Sequence, residues 1–137
     1  MTQDAQKTHL KTDNLLVGDP IAIETDQYAE ATLITTWQMV VDDVGLIHGG
    51  YAFGLADFAA MIAVNHPNVV LGSADVQFLA PVKVGETLIA QATVKEKIKN
   101  RRQVEVIVSV GDKTVFRGLF KCIITREHIL TMNEKDK

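Results

Sequence analysis

The chain has 137 residues, of which 47% are hydrophobic and 23% are charged, so it can bury one core but is too short for two ordinary domains. A formal net charge of −3 gives no clustered basic surface of the kind that binds nucleic acid. The single cysteine, Cys122, cannot form an internal disulfide, and residues 1–14 lack the apolar stretch of a secretion signal. We therefore expect a cytoplasmic protein with no nucleic-acid or membrane partner.

The polar ends of the chain set the expected domain limits. Residues 1–13 are predicted to be a flexible N-terminal tail, and residues 127–137 a polar C-terminal tail. Residues 14–126 contain no linker, repeat or low-complexity segment. We expect them to form a single folded domain.

Two strands and a helix are predicted in the first half of this domain. Ile21–Ile23 and Ala29–Trp37 are predicted as strands, with a turn at Thr25-Asp26-Gln27 between them. Tyr51–Val64 is apolar, rich in Ala and Leu, and too long for an ordinary strand, so it is predicted as a helix. This helix should end near Asn65-His66-Pro67, because proline disfavours helical geometry in the residue before it.

Four strands are predicted in the second half, where apolar residues alternate with period two. Turns are expected at Asn100 and at Gly111-Asp112, since these residue types tolerate the backbone angles of hairpins. The predicted apolar faces are Ala74, Val76, Phe78 and Ala80; Leu88, Ala90, Ala92 and Val94; Val104, Val106, Val108 and Val110; and Phe116, Phe120, Cys122 and Ile124.

The order β-β-α-β-β-β-β predicts an α+β fold. The helix is apolar on all sides and should therefore be buried on all sides. Within so short a chain, a curled antiparallel sheet wrapped around one long central helix satisfies this requirement. That arrangement is the hotdog fold, although the pattern alone also permits other α+β folds.

Asp57 is the only charged residue between Gly50 and Val64. A carboxylate in a buried helix costs several kcal/mol of desolvation unless it is paired, hydrogen-bonded or protonated. Asp57 is either a structural acceptor for a neighbouring strand or chain end, or a catalytic base or nucleophile whose pKa is raised by burial.

His48-Gly49-Gly50 precedes the predicted helix. Glycines allow a ligand to approach the backbone closely, and the first N–H groups of a helix favour negative charge. Such N–H groups suit the oxyanion that forms when a thioester is attacked. By itself, a Gly-Gly pair before a helix is more often a flexible turn.

At these residues the chain resembles a known family. Gly45–Gly50 followed by Leu55-Ala56-Asp57 resembles the HGG signature of PaaI-type hotdog thioesterases, in which the acid also lies nine residues after the histidine. Val76–Glu86 is similar to the strand and loop that carry the family's Pro and Gly-Asp/Glu. The resemblance extends from about Gly18 to Thr125.

The resemblance implies an acyl-CoA thioesterase that hydrolyses an acyl thioester to free acid and CoA. Asp57 would be the base or nucleophile, and the Gly49 N–H would hold the oxyanion. Gly50 would line the substrate-binding site. His48 would mainly orient the loop, with proton transfer as the less favoured role. The family forms its sites across a dimer, so a homodimer or tetramer with shared sites is expected. No metal or separate cofactor is implied, because CoA is part of the substrate.

Further substrate contacts are expected at four positions. Asp42 stands where the family often has Asn, and repulsion between Asp42 and Asp57 would raise the pKa of one of them if they lie close together. Ser73 is a candidate for holding water, although a solvent-facing strand position is the slightly favoured explanation. Arg101 and Arg102 are candidates for binding the CoA phosphates, although a basic hairpin is more often only solvated.

Two other functions are compatible with the sequence. A hotdog domain of this type can be a non-catalytic acyl-CoA sensor, but a pure sensor has no need of a buried charge at Asp57. A hydratase or dehydratase is disfavoured because its histidine motif is not visible.

Overall fold

A computed structural model of the protein describes residues 3–132. Within this range the strands are β1 Asp19–Glu24, β2 Tyr28–Ile34, β3 Val69–Phe78, β4 Thr87–Ile98, β5 Arg101–Val110 and β6 Lys113–Ile124. They form a six-stranded sheet in the spatial order β1-β2-β4-β5-β6-β3, and all neighbouring strands are antiparallel. The predicted fold class, a curled antiparallel sheet with one main helix, is confirmed.

The helices are the short α1, Asn14–Val17, and the long α2, Gly49–Val64. Two 3₁₀ turns, Trp37–Met39 and Ile129–Thr131, complete the regular structure of the described residues. Among these residues, no helix combines the length and the apolar character that crossing a membrane requires.

Two predicted boundaries differ from the structure. The strand predicted over Ala29–Trp37 ends at Ile34, because β4, its hydrogen-bonding partner, begins opposite it at Thr87. The helix begins at Gly49 and not at Tyr51, since His48 caps the first turn. Its end at Val64 and both predicted hairpin turns agree with the structure.

The core lies between α2 and the inner face of the sheet. Small side chains on α2 let the helix approach the strands closely, and branched and aromatic side chains from the sheet fill the remaining space. The fully buried residues from α2 include Leu55, Ala56, Phe58, Ala59 and Ala63, and those from the sheet include Leu88, Ala90, Val104, Val106, Phe116, Phe120 and Cys122.

The helix is not buried on every side, so the prediction of all-round burial is correct only for its second half. Residues 58–64 are all buried, whereas the first half has an open side formed by Gly50, Phe53, Gly54 and Asp57. These positions recur every three or four residues and therefore form one stripe. The sheet of one chain covers this stripe only in part, since Phe53 packs on Phe116 and Phe120 of β6.

Asn65 ends α2 and joins it to residues 3–13. It is buried and has a left-handed backbone with φ of 54°, which is a common way to end a helix. Its side chain accepts a hydrogen bond from the Lys7 N–H at 2.8 Å and donates to the Ala5 carbonyl and the Thr25 hydroxyl, both at 2.9 Å. The segment that we expected to be a loose tail is thus hydrogen-bonded to the domain.

Strand β3 is an edge strand. It pairs with β6 on one side, and no strand of the described chain pairs with its other side. Residues 72–75 are exposed, although Ala74 belongs to the apolar face of the strand. An edge of this kind is available for pairing with another chain.

The Asn65 contacts lead to a prediction about stability. Asn65→Ala should lower the free energy of unfolding by about 3 kcal/mol, because it loses the side-chain hydrogen bonds and forces alanine into a left-handed backbone. Asn65→Gly should lose about 2 kcal/mol, since glycine accepts that backbone. Urea unfolding measures both values. An equal loss in Asn100→Ala, at an exposed turn asparagine, would contradict the assignment.

Candidate active site

His48 organises the first turn of α2. Its Nδ1 accepts a hydrogen bond from the Gly50 N–H at 2.8 Å, so the side chain is the N-cap of the helix. An accepting Nδ1 requires a neutral ring with its proton on Nε2. His48 therefore offers an N–H donor, and not a base, to anything that lies beyond the helix end.

The capping bond leaves the Gly49 N–H available. Gly49 is the first helical residue, so its N–H has no carbonyl of the helix to bond, and no other acceptor in the described chain takes it. It lies on an apolar cavity of about 400 Å³, lined by Ile47, His48, Gly49, Ala52, Phe78, Leu79, Ala80, Pro81, Val82 and Val115. A donor at a helix N-terminus, facing open space, is suited to an oxyanion.

Close neighbours limit the space for a side chain at both glycines, strictly at position 50 and mildly at position 49. A Cβ at position 50 would lie 2.8 Å from the His48 Nδ1 and would break the cap. A Cβ at position 49 would lie 3.1 Å from the ring of Phe78. The Gly-Gly pair is therefore a specific part of the helix start and not only a flexible turn.

Asp57 lies two turns further along the open side of α2. Its Oδ1 is fully buried and has no hydrogen-bond partner in the described residues. Burial raises the pKa of Asp57 to about 6. Burial therefore disfavours the charged form of the Asp57 carboxylate, and no group of the described chain compensates with a hydrogen bond to Oδ1. A buried acid with a raised pKa is a candidate base or nucleophile.

Cys122 lies on the sheet beneath this acid. Burial, together with the negative charge of Asp57, raises the pKa of the Cys122 thiol to about 12. The thiol is therefore neutral at physiological pH and belongs to the apolar wall behind the carboxylate, as the sequence predicted for a core residue.

Asp57 and Gly49 of one chain are too far apart to act on the same carbonyl group. Eight residues of helix separate them, which corresponds to about 12 Å along the axis. A base and an oxyanion donor that share one carbonyl lie within about 7 Å of each other. The structure therefore presents two half-sites on one chain.

Asp42 organises the loop before the helix. Its Oδ1 accepts hydrogen bonds from the N–H groups of Val44, Gly45 and Leu46 at 3.0, 3.0 and 3.2 Å. These bonds lower the pKa of Asp42. The raised pKa of Asp57 has burial as its cause and not repulsion by Asp42, so one chain does not bring the two carboxylates together.

Ser73 and Arg101 lie away from this helix start. Ser73 pairs with Lys121 on the outer face of the sheet, opposite to the helix. The two residues line an outer-face cavity of about 350 Å³, together with Gly72, Glu96, Ile98, Arg101, Arg102, Gln103, Cys122 and Ile123. Arg101 and Lys121 are the exposed cationic residues among those that line this cavity.

Arg102 is held in a structural ion pair. Its Nε donates to the Asp26 Oδ1 at 2.8 Å, and its Nη1 donates to the carbonyls of Lys99 and Arg101. Lys97 approaches the other oxygen of Asp26 at 3.5 Å. This network joins the β1–β2 turn to the β4–β5 hairpin.

The sequence analysis did not identify Phe78 and Leu79 as candidate site residues. They end β3 and form the rim of the apolar cavity, with 58% and 48% of their surfaces exposed. The alternating pattern predicted that Phe78 would face inward, and it does contact Phe116 with a ring separation of 5.2 Å. The sequence did contain a signal for them. Two large apolar residues stand directly before Ala80-Pro81, where the strand ends, and such a position favours exposed apolar surface.

Comparisons with known proteins agree with this fold. Residues 44–116 match the model of the thioesterase superfamily. A crystal structure of an uncharacterised protein from Pyrococcus horikoshii superposes with a TM-score of 0.92 at 48% identity, covering 95% of this chain and 99% of that one. The PaaI protein from the phenylacetic acid degradation operon of Escherichia coli superposes with a TM-score of 0.73 at 29% identity, covering 80% of each chain.

Two curated relatives are longer than this chain. Methylthioribose-1-phosphate isomerase from Aquifex aeolicus is 46% identical over 83% of this chain, which corresponds to 25% of that protein. Transcription factor FapR from Thermoanaerobacter is 30% identical over 93% of this chain and 64% of its own length. The match to the family model spans more than half of the chain and includes Gly49, Asp57 and Phe78. The chain therefore belongs to the thioesterase superfamily and has the PaaI-like hotdog fold.

Proposed function

We propose that the protein is an acyl-CoA thioesterase that works as a homodimer with shared active sites. The observation that carries this proposal is the distance of about 12 Å between Gly49 and Asp57 along one helix, each with an unused polar group. Two copies related by a two-fold axis complete the site, with the Gly49 N–H from one and the Asp57 carboxylate from the other. Such an interface is isologous and produces two equal sites.

The free edge of β3 supports this assembly. Pairing of two β3 strands satisfies their exposed backbone groups and covers the apolar side chain of Ala74. The open side of α2 also becomes covered, which explains why its first half carries small residues and one buried acid. The same contact therefore satisfies the sheet edge and assembles the chemistry.

The reaction begins with the thioester carbonyl oxygen on the Gly49 N–H. Asp57 either removes a proton from a water molecule that attacks the carbonyl carbon, or attacks that carbon itself to form an anhydride that water then hydrolyses. In both routes the C–S bond breaks, CoA leaves as its thiol after taking up a proton, and the acid is released. With a pKa of about 6, Asp57 is ionised at pH 7.5 and is still basic enough to accept a proton.

His48 and Asp42 hold the backbone in this mechanism. His48 keeps the Gly50 N–H occupied and so fixes the direction of the Gly49 N–H. Asp42 fixes the preceding loop through three backbone hydrogen bonds, which an asparagine oxygen would also accept. Asp42 should therefore hold the loop as the family's asparagine would. What aspartate changes is the second side-chain group, a charged Oδ2 in place of an amide NH₂.

Arg101, with Lys121 beside it, stays the candidate for the CoA phosphates, although the sheet register places it near the start of β3 whereas Gly49 lies beside Phe78 at the end of β3. Both side chains are exposed and line the outer-face cavity, where Ser73 adds a hydroxyl group. Arg102 contributes less because Asp26 already binds its guanidinium group.

A non-catalytic acyl-CoA sensor is the second candidate. The observation that favours it is the 30% identity to transcription factor FapR over 93% of this chain. In a sensor, the site would bind the thioester without a water molecule at Asp57. A protein that binds acyl-CoA without hydrolysing it would be a sensor, and one that releases CoA thiol would be a thioesterase.

The first prediction concerns turnover. The native protein should release CoA thiol from acyl-CoA, and Asp57→Asn should lose at least about 100-fold in kcat, because a base or nucleophile is removed without changing the shape of the side chain. Thiol release is followed with a chromogenic disulfide, and calorimetry measures acyl-CoA binding. Binding to both proteins with no thiol released by either would favour the sensor.

The second prediction concerns stability against pH. The folded-state pKa of Asp57, about 6, lies above its ordinary value of 3.8, so the folded protein binds this proton more tightly than the unfolded chain. Stability should therefore fall as the pH rises from about 4 to about 6, and the loss is complete above that window. Asp57→Asn should be more stable than the native protein by about 3 kcal/mol at pH 7.5 and nearly equally stable at pH 4.

Urea unfolding at several pH values measures this difference. Asp112→Asn, at an exposed aspartate in the β5–β6 turn, is the control and should show no such dependence. A destabilised Asp57→Asn at pH 7.5 would instead mean that Asp57 is a structural acceptor.

A further inference from the structure

We infer that the apolar cavity beside Gly49 binds the acyl group and selects uncharged, apolar acyl chains, with Phe78 as the residue that sets this preference. The inference rests on the proposed function, because it places the thioester carbonyl on the Gly49 N–H. It names the substrate class of that site.

The side chains that line the cavity are apolar apart from His48. None of the lining residues is charged. Several backbone donors are already used, since the N–H groups of Leu79 and Ala80 both donate to the Val115 carbonyl and the Ile47 N–H donates to the Val82 carbonyl. A charged acyl group would lose its hydration here without gaining a partner of opposite charge.

One unused backbone donor belongs to this apolar surface. Gly49 lines the cavity, and its N–H has no acceptor in the described chain. A ligand that matches such a surface has one carbonyl oxygen followed by hydrocarbon. An acyl thioester has this composition on the acyl side of its carbonyl group.

A second cavity, which also has His48 in its lining, suits the pantetheine arm of the CoA thioester. This Gln38 cavity of about 400 Å³ is lined by Gln38, Met39, Val40, His48, Gly50 and Tyr51. Its amide and hydroxyl groups can pair with the two amide groups of the pantetheine arm. The apolar and polar halves of the substrate therefore have separate cavities, with the His48-Gly49-Gly50 turn between them.

Phe78 is the residue of the cavity wall with the most apolar surface left for an acyl chain to cover. Its ring packs on Phe116 and lies close to Gly49, yet 58% of its surface is exposed. Burial of that surface by a bound chain is favourable and grows with the length of the chain. Each additional methylene that contacts the wall should raise kcat/KM roughly fourfold until the cavity is full.

The test compares butyryl-, hexanoyl-, octanoyl- and succinyl-CoA in the native protein, Phe78→Ala and Leu79→Ala. Native kcat/KM should rise with chain length and should be at least about 100-fold lower for succinyl-CoA than for butyryl-CoA, which has the same number of acyl carbons and no charge. Phe78→Ala should reduce the octanoyl-to-butyryl ratio roughly tenfold, and Leu79→Ala should reduce it less. Ile34→Ala is the matched control, because Ile34 is equally exposed, at 64%, but lines neither cavity.

Two outcomes would overturn the inference. One is hydrolysis of succinyl-CoA as fast as octanoyl-CoA, and the other is an octanoyl-to-butyryl ratio that Phe78→Ala and Leu79→Ala leave unchanged. If no thioester is hydrolysed, calorimetry with octanoyl- and succinyl-CoA still decides. A binding preference for octanoyl-CoA that Phe78→Ala abolishes supports the cavity while rejecting the thioesterase, and no preference rejects the cavity as well.

Discussion

The length of α2 is the constraint on which the candidate site depends. A helix advances by about 1.5 Å per residue, so a donor at its first residue and an acid at its ninth cannot meet on one carbonyl group. Both groups nevertheless carry the marks of function, since the Gly49 N–H has no acceptor and the Asp57 Oδ1 is buried without a partner in the described chain. Assembly of two copies would bring the donor of one chain and the acid of the other to the same carbonyl group, which is why we connect the chemistry to self-association.

The start of the helix shows how small residues produce a defined donor. His48 occupies the Gly50 N–H, and a side chain at position 50 would collide with it. Asp42 fixes the loop that precedes the helix through three further backbone bonds. The loop and cap together leave the Gly49 N–H as the open donor of this turn, next to an apolar wall on one side and the Gln38 cavity on the other.

The sequence predicted those parts of the structure that depend on local pattern. Alternation with period two located the four strands after the helix, and the long apolar run with Asp57 inside it located the helix and its acid. The sequence could not show which strand lies at an edge, because edge position depends on the complete sheet order. For that reason the exposure of Phe78 was missed and the open side of α2 was not foreseen.

Long-range polar contacts were also beyond the sequence. The partner of Arg102, Asp26, lies 76 residues away, and the partners of Asn65 in the N-terminal segment lie 58 and 60 residues away. Neither pairing has a local pattern, since any exposed charge or asparagine is a candidate partner. The resemblance to PaaI-type proteins identified the helix start and the acid but gave no account of the cavity walls, which are built from residues that do not belong to the motif.

The most direct measurement is complementation between two inactive variants. Gly49→Pro removes the N–H donor at a position where proline is favoured, and the extended backbone of His48 (ψ of 131°) is compatible with a following proline. Gly49→Ala, which keeps the N–H, is its control. A refolded equal mixture of Gly49→Pro and Asp57→Asn should recover about a quarter of the native thioesterase rate, because half of the pairs are mixed and each has one complete site. A mixture no more active than the two variants alone would contradict the shared site.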